Sequence, residues 1–310
     1  MSNIHESVLL NELVDNVVIK EEGIYLDATL GRGGHSKLIL EKISKKNGQL
    51  IVFDQDIEAI DHFREYLSEN KIENVILIKS NFKNIISELK ERNISKIDGI
   101  IFDLGVSSPQ LDNPKRGFSY KNDGNLDMRM DLQNPFSAFD VINNYDAKQL
   151  NQIFYKYGEI KKPYFVSNEI IKQREIKPID TTFELVDIIK KSINPKLLYK
   201  AKHPARQYFQ AIRIEVNNEI NLLKQSITDA ISLLNNNSRV GIITFHSLED
   251  KIVKHLFNDL TTSNVPKEIP IKNEVIPYEL FNRKAILPTD GEIENNKRAR
   301  SAKLRILIKK

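Results

Sequence analysis

The chain has 310 residues, of which 40% are hydrophobic, and this allows one large domain or two domains of ordinary size. It contains no cysteine, which excludes disulfides and zinc sites built from thiolates. The net charge of +4 excludes a polycation, and the basic residues at positions 297–310 form either a solvated face or a rim that binds phosphates. No segment approaches the roughly 20 apolar residues of a membrane span, and the N-terminus lacks a signal-peptide pattern, so we expect a cytoplasmic protein without membrane contact.

The first predicted elements form a βαβ unit around a glycine-rich turn. Apolar runs predict strands at residues 24–29 and 50–53, with a helix at residues 36–45 between them, and the second strand ends in Asp54. Glycines let the backbone approach a ligand closely, and an acid at the second strand's tip can accept hydrogen bonds from both hydroxyls of a ribose. The spacing is therefore typical of a nucleotide-binding site.

The glycine turn indicates which class of nucleotide ligand the site would bind. A dinucleotide fingerprint has a third glycine where this chain has Ser36, and the turn instead contains Gly31, Gly33, Gly34 and His35. So tight a turn suits a compact group such as the amino-acid end of S-adenosylmethionine, whose carboxylate can meet the free N–H groups of the helix. A turn with a purely structural role is the other interpretation.

The alternation of strands and helices continues to residue 103. Strands are predicted at residues 75–78 and 97–102, and they are followed by Phe82 and Asp103 respectively. This pattern favours a parallel sheet covered by helices, with ligands at the carboxyl ends of the strands. Phe82 is then either the apolar wall of an adenine site or a core residue.

A long polar stretch follows Asp103 and is typical of a functional loop. Helices are then predicted at residues 146–157, 163–174 and 182–193, the last with a capping box at Thr181 and Glu184. Because no strands intervene, we predict a helical substrate domain at residues 112–203, inserted between two parts of a sheet domain at residues 1–111 and 204–310.

The remaining residues return to the sheet. One long amphipathic helix is predicted to begin at His203 and to continue to Leu234. A fifth strand follows at residues 240–245, and residues 261–296 are polar and predicted to be irregular. The strand at residues 304–308 is predicted to be the antiparallel edge strand of the sheet.

Seven motifs resemble those of one family and cover nearly the whole chain in order. They are GRGGH at 31–35, DLGVSSPQLD at 103–112, RGFS at 116–119, LDMRMD at 126–131, FQAIR at 209–213, FHSLED at 245–250 and RARS at 298–301. The chain resembles the bacterial RsmH (MraW) family of S-adenosylmethionine-dependent methyltransferases, which act on the N4 amine of a cytidine in small-subunit (16S) ribosomal RNA. Residues 261–296 differ from the family in composition.

The resemblance implies a fold, a cofactor and a partner. The fold is a class I methyltransferase fold, α/β and Rossmann-like with a seven-stranded sheet, and it carries an inserted all-helical domain. The cofactor is S-adenosylmethionine without a metal, and the partner is small-subunit ribosomal RNA or the assembling subunit, with a homodimer left open. The implied cofactor-binding residues are Gly33, Gly34, His35, Asp54, Phe82, Asp103 and Gln110.

The sequence assigns no catalytic residue. Amino-group methyltransferases often carry an Asp/Asn-Pro-Pro-aromatic tetrad after the fourth strand, whereas this chain has DLGV at 103–106. The proton acceptor stays open among groups at residues 105–108, and His246 is another conceivable base. Five side chains are candidates for RNA contacts or, equally, for intramolecular ones: Arg116, Tyr120, Arg129, Arg206 and Arg213.

Two alternative functions remain at this point. The βαβ unit also fits a nicotinamide-dependent oxidoreductase, although the missing third glycine argues against it. A non-catalytic RNA-binding factor that kept the fold is the second alternative. Binding of S-adenosylhomocysteine rather than NAD excludes the first, and methyl incorporation into RNA excludes the second.

Overall fold

The computed structural model describes residues 7–44, 47–195, 203–263 and 276–310. The chain divides into two compact units. The sheet unit contains Met1–Gly105 and Asn221–Lys310, and the helical unit contains Val106–Ile220. These limits differ from the domain limits predicted at residues 112 and 203, because the helix at Ala205–Asn217 packs on other helices of the helical unit.

The sheet unit is built on one seven-stranded sheet in the order β3-β2-β1-β4-β5-β7-β6. Its strands are β1 (Ile24–Asp27), β2 (Gln49–Asp54), β3 (Val75–Lys79), β4 (Ile97–Asp103), β5 (Leu234–Thr244), β6 (Tyr278–Leu280) and β7 (Lys303–Lys309). Strands β1 to β5 are parallel, β7 pairs antiparallel with β5, and β6 pairs antiparallel with β7. The α/β class and the seven-stranded sheet that the family resemblance implies are confirmed.

Helices cover both faces of this sheet. They are α1 (Leu10–Val17), α2 (Gly34–Ile43), α3 (Ile57–Glu69), α4 (Ile85–Glu91), α11 (Leu223–Ser232), α12 (Ser247–Thr261) and α13 (Asp290–Asn295). The central strands have apolar side chains on both faces. These side chains contribute to two hydrophobic cores, one around Phe53 and Phe102 and the other around Tyr25 and Phe63. A parallel sheet buried in this way places its polar strand ends along one edge.

The helical unit contains six α-helices within the described ranges. They are α5 (Ser108–Asp112), α6 (Ala138–Asn144), α7 (Ala147–Lys156), α8 (Tyr164–Arg174), α9 (Thr182–Ser192) and α10 (Ala205–Asn217). Helix α10 packs against α6, α7 and α9. The predicted capping box of α9 is confirmed, because the Glu184 carboxylate accepts the Thr181 N–H at 3.1 Å and the Thr181 hydroxyl accepts the Glu184 N–H at 3.3 Å.

The polar stretch before α6 is irregular but fixed within the helical unit. Asn217 at the end of α10 donates to the Met128 carbonyl at 2.7 Å and accepts the Met130 N–H at 2.8 Å. The buried Arg116 guanidinium donates to the carbonyls of Arg129 and Met130 at 2.9 and 3.2 Å. These bonds replace the backbone ladder that a strand or helix would supply.

Three predictions about the second half of the chain are wrong. The single helix predicted from His203 to Leu234 is two helices, since Asn218 adopts a left-handed conformation (φ 51°) that ends α10. The closing strand β7 is not at the edge of the sheet, because the three-residue strand β6 pairs with its outer side. The prediction that residues 261–296 are irregular is wrong for 278–280 and 290–295, which form β6 and α13, and residues 264–275 lie outside the described residues.

None of the helices in the described ranges is long and apolar enough to cross a membrane.

Candidate cofactor site

The turn between β1 and α2 depends on its glycines. Gly31 and Gly33 have φ values of 53° and 75°, which side chains other than glycine's rarely adopt. A Cβ on Gly33 would lie 2.6 Å from the Phe63 ring, and a Cβ on Gly34 would overlap the Ser7 side chain. The side chains of Phe63 and Ser7 therefore pack tightly against the turn. A ligand that binds at the turn would contact its backbone.

Asp54 holds this turn against the end of β2. Its carboxylate accepts the Gly31 N–H at 2.9 Å through Oδ2 and the Asp56 N–H at 2.8 Å through Oδ1. Burial raises the pKa of Asp54 to about 6, and the two backbone N–H groups oppose that rise. The oxygens are thus fixed in direction, with lone pairs left for hydroxyl donors.

Asp27 and Asp103 place two more carboxyl groups on the neighbouring strands β1 and β4. The buried Asp27 accepts the Ser36 hydroxyl at 2.6 Å and the Thr29 N–H at 3.0 Å. Burial raises the pKa of Asp27 to about 6. The pKa of Asp103 lies well above its usual range because of burial, with further contributions from the charges of Asp27 and Glu249.

One oxygen of Asp103 lacks a partner. Its backbone N–H donates to the Thr29 hydroxyl at 2.6 Å, but the buried Oδ1 accepts no hydrogen bond from any residue that the structure describes. A buried carboxylate oxygen without a donor is costly, so this position fits a ligand that brings a cationic or N–H group.

His35 places a ring nitrogen near the Asp103 carboxyl group. Its Nε2 lies 3.1 Å from the Val8 carbonyl, and its Nδ1 lies 3.8 Å from Asp103 Oδ2. Burial lowers the pKa of His35 to about 4, so the ring is neutral at pH 7. If Nε2 donates to Val8, Nδ1 carries no proton and faces the Asp103 carboxyl as an acceptor. A donor group from a ligand would satisfy both.

Phe82 stands after β3 in a short 3₁₀ turn. Its half-buried ring meets the Phe102 ring edge-on, with centroids 5.6 Å apart, and packs against the hydrophobic core below the sheet. Both interpretations of Phe82 therefore have support: the ring belongs to the core, and part of it stays exposed.

The end of β5 adds groups that the sequence did not assign to the site. The buried Glu249 accepts the Phe245 N–H at 2.8 Å, and its Oε1 lies 2.9 Å from His246 Nε2. His246 itself caps α12, since its ring accepts the Glu249 N–H. The sequence pointed to Glu249 only through the FHSLED motif directly after a strand. The structure was needed to show that Glu249 is buried and that its charge affects Asp103.

Six of the seven predicted cofactor residues lie in the sheet unit, at or just after strand ends: Gly33, Gly34, His35, Asp54, Phe82 and Asp103. Gln110 lies in the helical unit, where it is buried and accepts the Ser107 N–H at 3.0 Å in the capping box of α5. No group of three or more metal-binding side chains occurs among the described residues.

Three of the five candidate RNA contacts are committed to partners inside the helical unit. Arg213 forms a bidentate pair with Glu219 at 2.8 Å, Arg129 pairs with Asp127 at 2.7 Å, and Arg116 binds the carbonyls given above. Tyr120 stacks on His203, with centroids 5.2 Å apart, while Arg206 is half-buried. The three arginines therefore make intramolecular contacts of the kind that the sequence left open beside RNA binding.

Comparison with known proteins places this chain in a family. The sequence model of the MraW methylase family matches residues 2–310. Three relatives, each named ribosomal RNA small subunit methyltransferase H, come from Ureaplasma urealyticum serovar 10, Malacoplasma penetrans and Oenococcus oeni. They are 53%, 48% and 47% identical to this chain, over 98–99% of it and 97–98% of their own lengths. The chain therefore belongs to the MraW methylase family.

Proposed function

We propose that this protein transfers a methyl group from S-adenosylmethionine to the N4 amine of a cytidine in small-subunit (16S) ribosomal RNA. The observation that carries the proposal is the family match over residues 2–310, together with relatives of nearly equal length that are named small-subunit ribosomal RNA methyltransferases. The choice of the N4 amine follows from the motifs that resemble the RsmH family.

The residues of the sheet unit fit this cofactor. The backbone of Gly33 and Gly34 opens α2, whose first N–H groups attract a carboxylate. Asp54 is an oriented acceptor for ribose hydroxyls, and the unpartnered oxygen of Asp103 with His35 Nδ1 suits an ammonium group. Phe82 offers an apolar ring for adenine. We propose Gln110 as a seventh contact on the resemblance alone.

The cofactor, when bound, supplies an electrophilic methyl group on a sulfonium. The chain's contribution is to fix the donor, because the lone pair of the cytosine amine is delocalised into the ring and makes the amine a weak nucleophile. Alignment of the two groups can therefore supply a large part of the acceleration. The oriented oxygens of Asp54 and the unpartnered Oδ1 of Asp103 lie along the edge where a cationic donor would lie.

The alternatives find less support. A dinucleotide fingerprint requires glycine where this chain has Ser36, and the Ser36 hydroxyl is engaged with Asp27 at 2.6 Å. A non-catalytic RNA-binding factor would have no need for oriented acceptors at the end of β2 or for the open oxygen of Asp103.

The experiment is transfer of a labelled methyl group from S-adenosylmethionine to 16S RNA and to small ribosomal subunits. We expect label in RNA with the wild-type protein and none with Asp54→Ala. RNA binding without any incorporation would instead support the non-catalytic factor.

The same assay decides between naked RNA and the assembling subunit, and sedimentation tests the homodimer. A cytoplasmic location follows from this choice of substrate.

A further inference from the structure

Three aromatic side chains lie exposed where α7 ends and α8 begins in the helical unit. Tyr155, Tyr164 and Phe165 are 66%, 43% and 56% exposed. The rings of Tyr164 and Phe165 contact each other, with centroids 4.3 Å apart and planes 37° apart. Exposed apolar rings that contact each other form a contiguous patch of the kind that marks binding surfaces, and Tyr164 and Phe165 are such a pair.

The charge beside these rings is positive. Lys161 and Lys162 lie exposed in the connection between α7 and α8, and neither forms an ion pair with a residue in the described ranges. Residues 155–165 contain three lysines and one glutamate. Lysine is depleted at protein–protein interfaces, whereas rings interspersed with cations are the usual surface for single-stranded nucleic acid.

The connection is held in place by α10. Gln207 and Gln210 donate from Nε2 to the carbonyls of Gly158 and Tyr157 at 2.9 and 3.1 Å. The Ile160 N–H donates to the Phe154 carbonyl at 3.2 Å, and Tyr157 is buried. Because the backbone is already fixed, binding of a ligand here costs little entropy for ordering it.

We propose that Tyr155, Lys161, Lys162, Tyr164 and Phe165, the α7–α8 surface, hold a single-stranded segment of the substrate RNA. Bases stack on Tyr164 and Phe165, and phosphates lie against Lys161 and Lys162. A single strand is required because paired bases present their faces to each other and not to a protein ring. The inference rests on the proposed function, which makes RNA the substrate.

A second copy of the chain fits the surface less well. A two-fold contact through this surface would bring the two lysine pairs of both copies into one interface, with like charges facing each other. An RNA backbone has the opposite charge and offers flat rings at the same time. Charge complementarity therefore favours RNA.

The test uses the full-length protein and a fluorescently labelled single-stranded RNA of about 12 nucleotides, within the usual range of such sites. The double variant Tyr164→Ala/Phe165→Ala should bind this RNA at least about fivefold more weakly, as expected when one base no longer stacks. Lys161→Gln/Lys162→Gln should reduce the slope of log affinity against log salt by about 0.7 for each phosphate that the variant no longer neutralises.

The opposite end of α8 supplies matched controls. Ile176 is 78% exposed, and Lys172 on α8 forms no ion pair in the described part of the chain. Ile176→Ala and Lys172→Gln should bind RNA as the wild type does. Every variant should bind S-adenosylhomocysteine normally, since the proposed cofactor contacts of the sheet unit are untouched.

The inference is overturned if the wild type methylates small-subunit RNA while the α7–α8 surface variants bind the oligonucleotide unchanged. It is also overturned if the control variants weaken binding equally, or if the surface variants alter sedimentation and leave RNA affinity intact. Failure of the proposed function looks different, because the wild type itself would then transfer no label to RNA.

Discussion

The Asp54 carboxylate accepts the Gly31 N–H at 2.9 Å, so the tip of β2 is bonded directly to the glycine turn after β1. One side chain therefore both shapes the turn and faces the place proposed for the ribose. Its second oxygen accepts the Asp56 N–H, which leaves the carboxylate no freedom to rotate. The orientation of the proposed cofactor site is built into the fold itself.

Asp54→Asn should weaken binding of S-adenosylhomocysteine by at least about tenfold. The amide keeps the size of the side chain, but its NH₂ cannot accept from an N–H group, and a bond to a charged acceptor contributes about 1.5–3 kcal/mol. Calorimetric titration measures the change. Asp61→Asn, on the exposed side of α3, is the matched control and should leave affinity unaltered.

Gly33→Ala should destabilise the protein by about 2–4 kcal/mol, because it adds left-handed strain and drives a Cβ to 2.6 Å from the Phe63 ring. Gly291→Ala meets nothing within 4 Å and lies in α13, so it should be neutral or stabilise by up to about 1 kcal/mol. Urea denaturation compares the two. Equal effects would show that the tight packing of the turn is not what requires glycine.

Asp103→Asn should separate stability from cofactor binding. It removes a carboxyl group whose pKa is raised by burial and by Asp27 and Glu249, so the free energy of unfolding should rise by about 1 kcal/mol at pH 8. It also replaces the charged acceptor proposed for the ammonium group by a neutral amide, so affinity for S-adenosylhomocysteine should fall by about tenfold. A variant that binds the cofactor at full strength would remove Asp103 from the site.

The stability difference between Asp27→Asn and the wild type should depend on pH. Burial raises the pKa of Asp27 from 3.8 to about 6, so the folded protein holds a proton that the unfolded chain releases in this window. The contribution of Asp27 to stability is therefore complete below pH 3.8 and declines as pH rises to about 6, by up to about 3 kcal/mol. In Asp27→Asn the free energy of unfolding should not show this decline, because the amide does not titrate.

Urea denaturation between about pH 4 and 7 tests that difference. Asp54, whose pKa is also raised to about 6, and His35, whose pKa is lowered to about 4, act in opposite directions in both proteins. Because both proteins contain these two residues, their effects largely cancel in the comparison, whereas the pKa of Asp103, which the charge of Asp27 helps to raise, differs between the two proteins. Parallel curves for the two proteins would show that Asp27 is not buried as a charge.

Much of the sheet was predictable because its signal is local. The apolar runs that become β1, β2, β3 and β4 each end near a polar residue, and this alternation fixes both the strands and the edge where Asp54 and Asp103 lie. The break at Asn218 was missed because apolar residues continue at helical spacing on both sides, and only the backbone of Asn218 ends the helix. The three residues of β6 are too few to give a periodic signal.

The candidate site also has features that local sequence could predict and features that only the fold creates. Gly33 and Asp54 could be found from spacing, since the turn and the strand tip follow each other in sequence. The open oxygen of Asp103 and the charge of Glu249 beside it depend on the pairing of β4 with β5, which brings together residues far apart in the chain. The intramolecular partner of Arg213 could not be named from sequence, because Arg213 meets Glu219 only in the folded helical unit.

The central claim is most directly tested by mass mapping of cytidines in 16S RNA from cells that lack this protein. Cells complemented with the wild type should regain one cytidine that carries a methyl group on N4, and cells complemented with Asp54→Ala should not. If the wild type restores no methylated cytidine, or if the variant restores it fully, the proposed reaction or the proposed site is wrong.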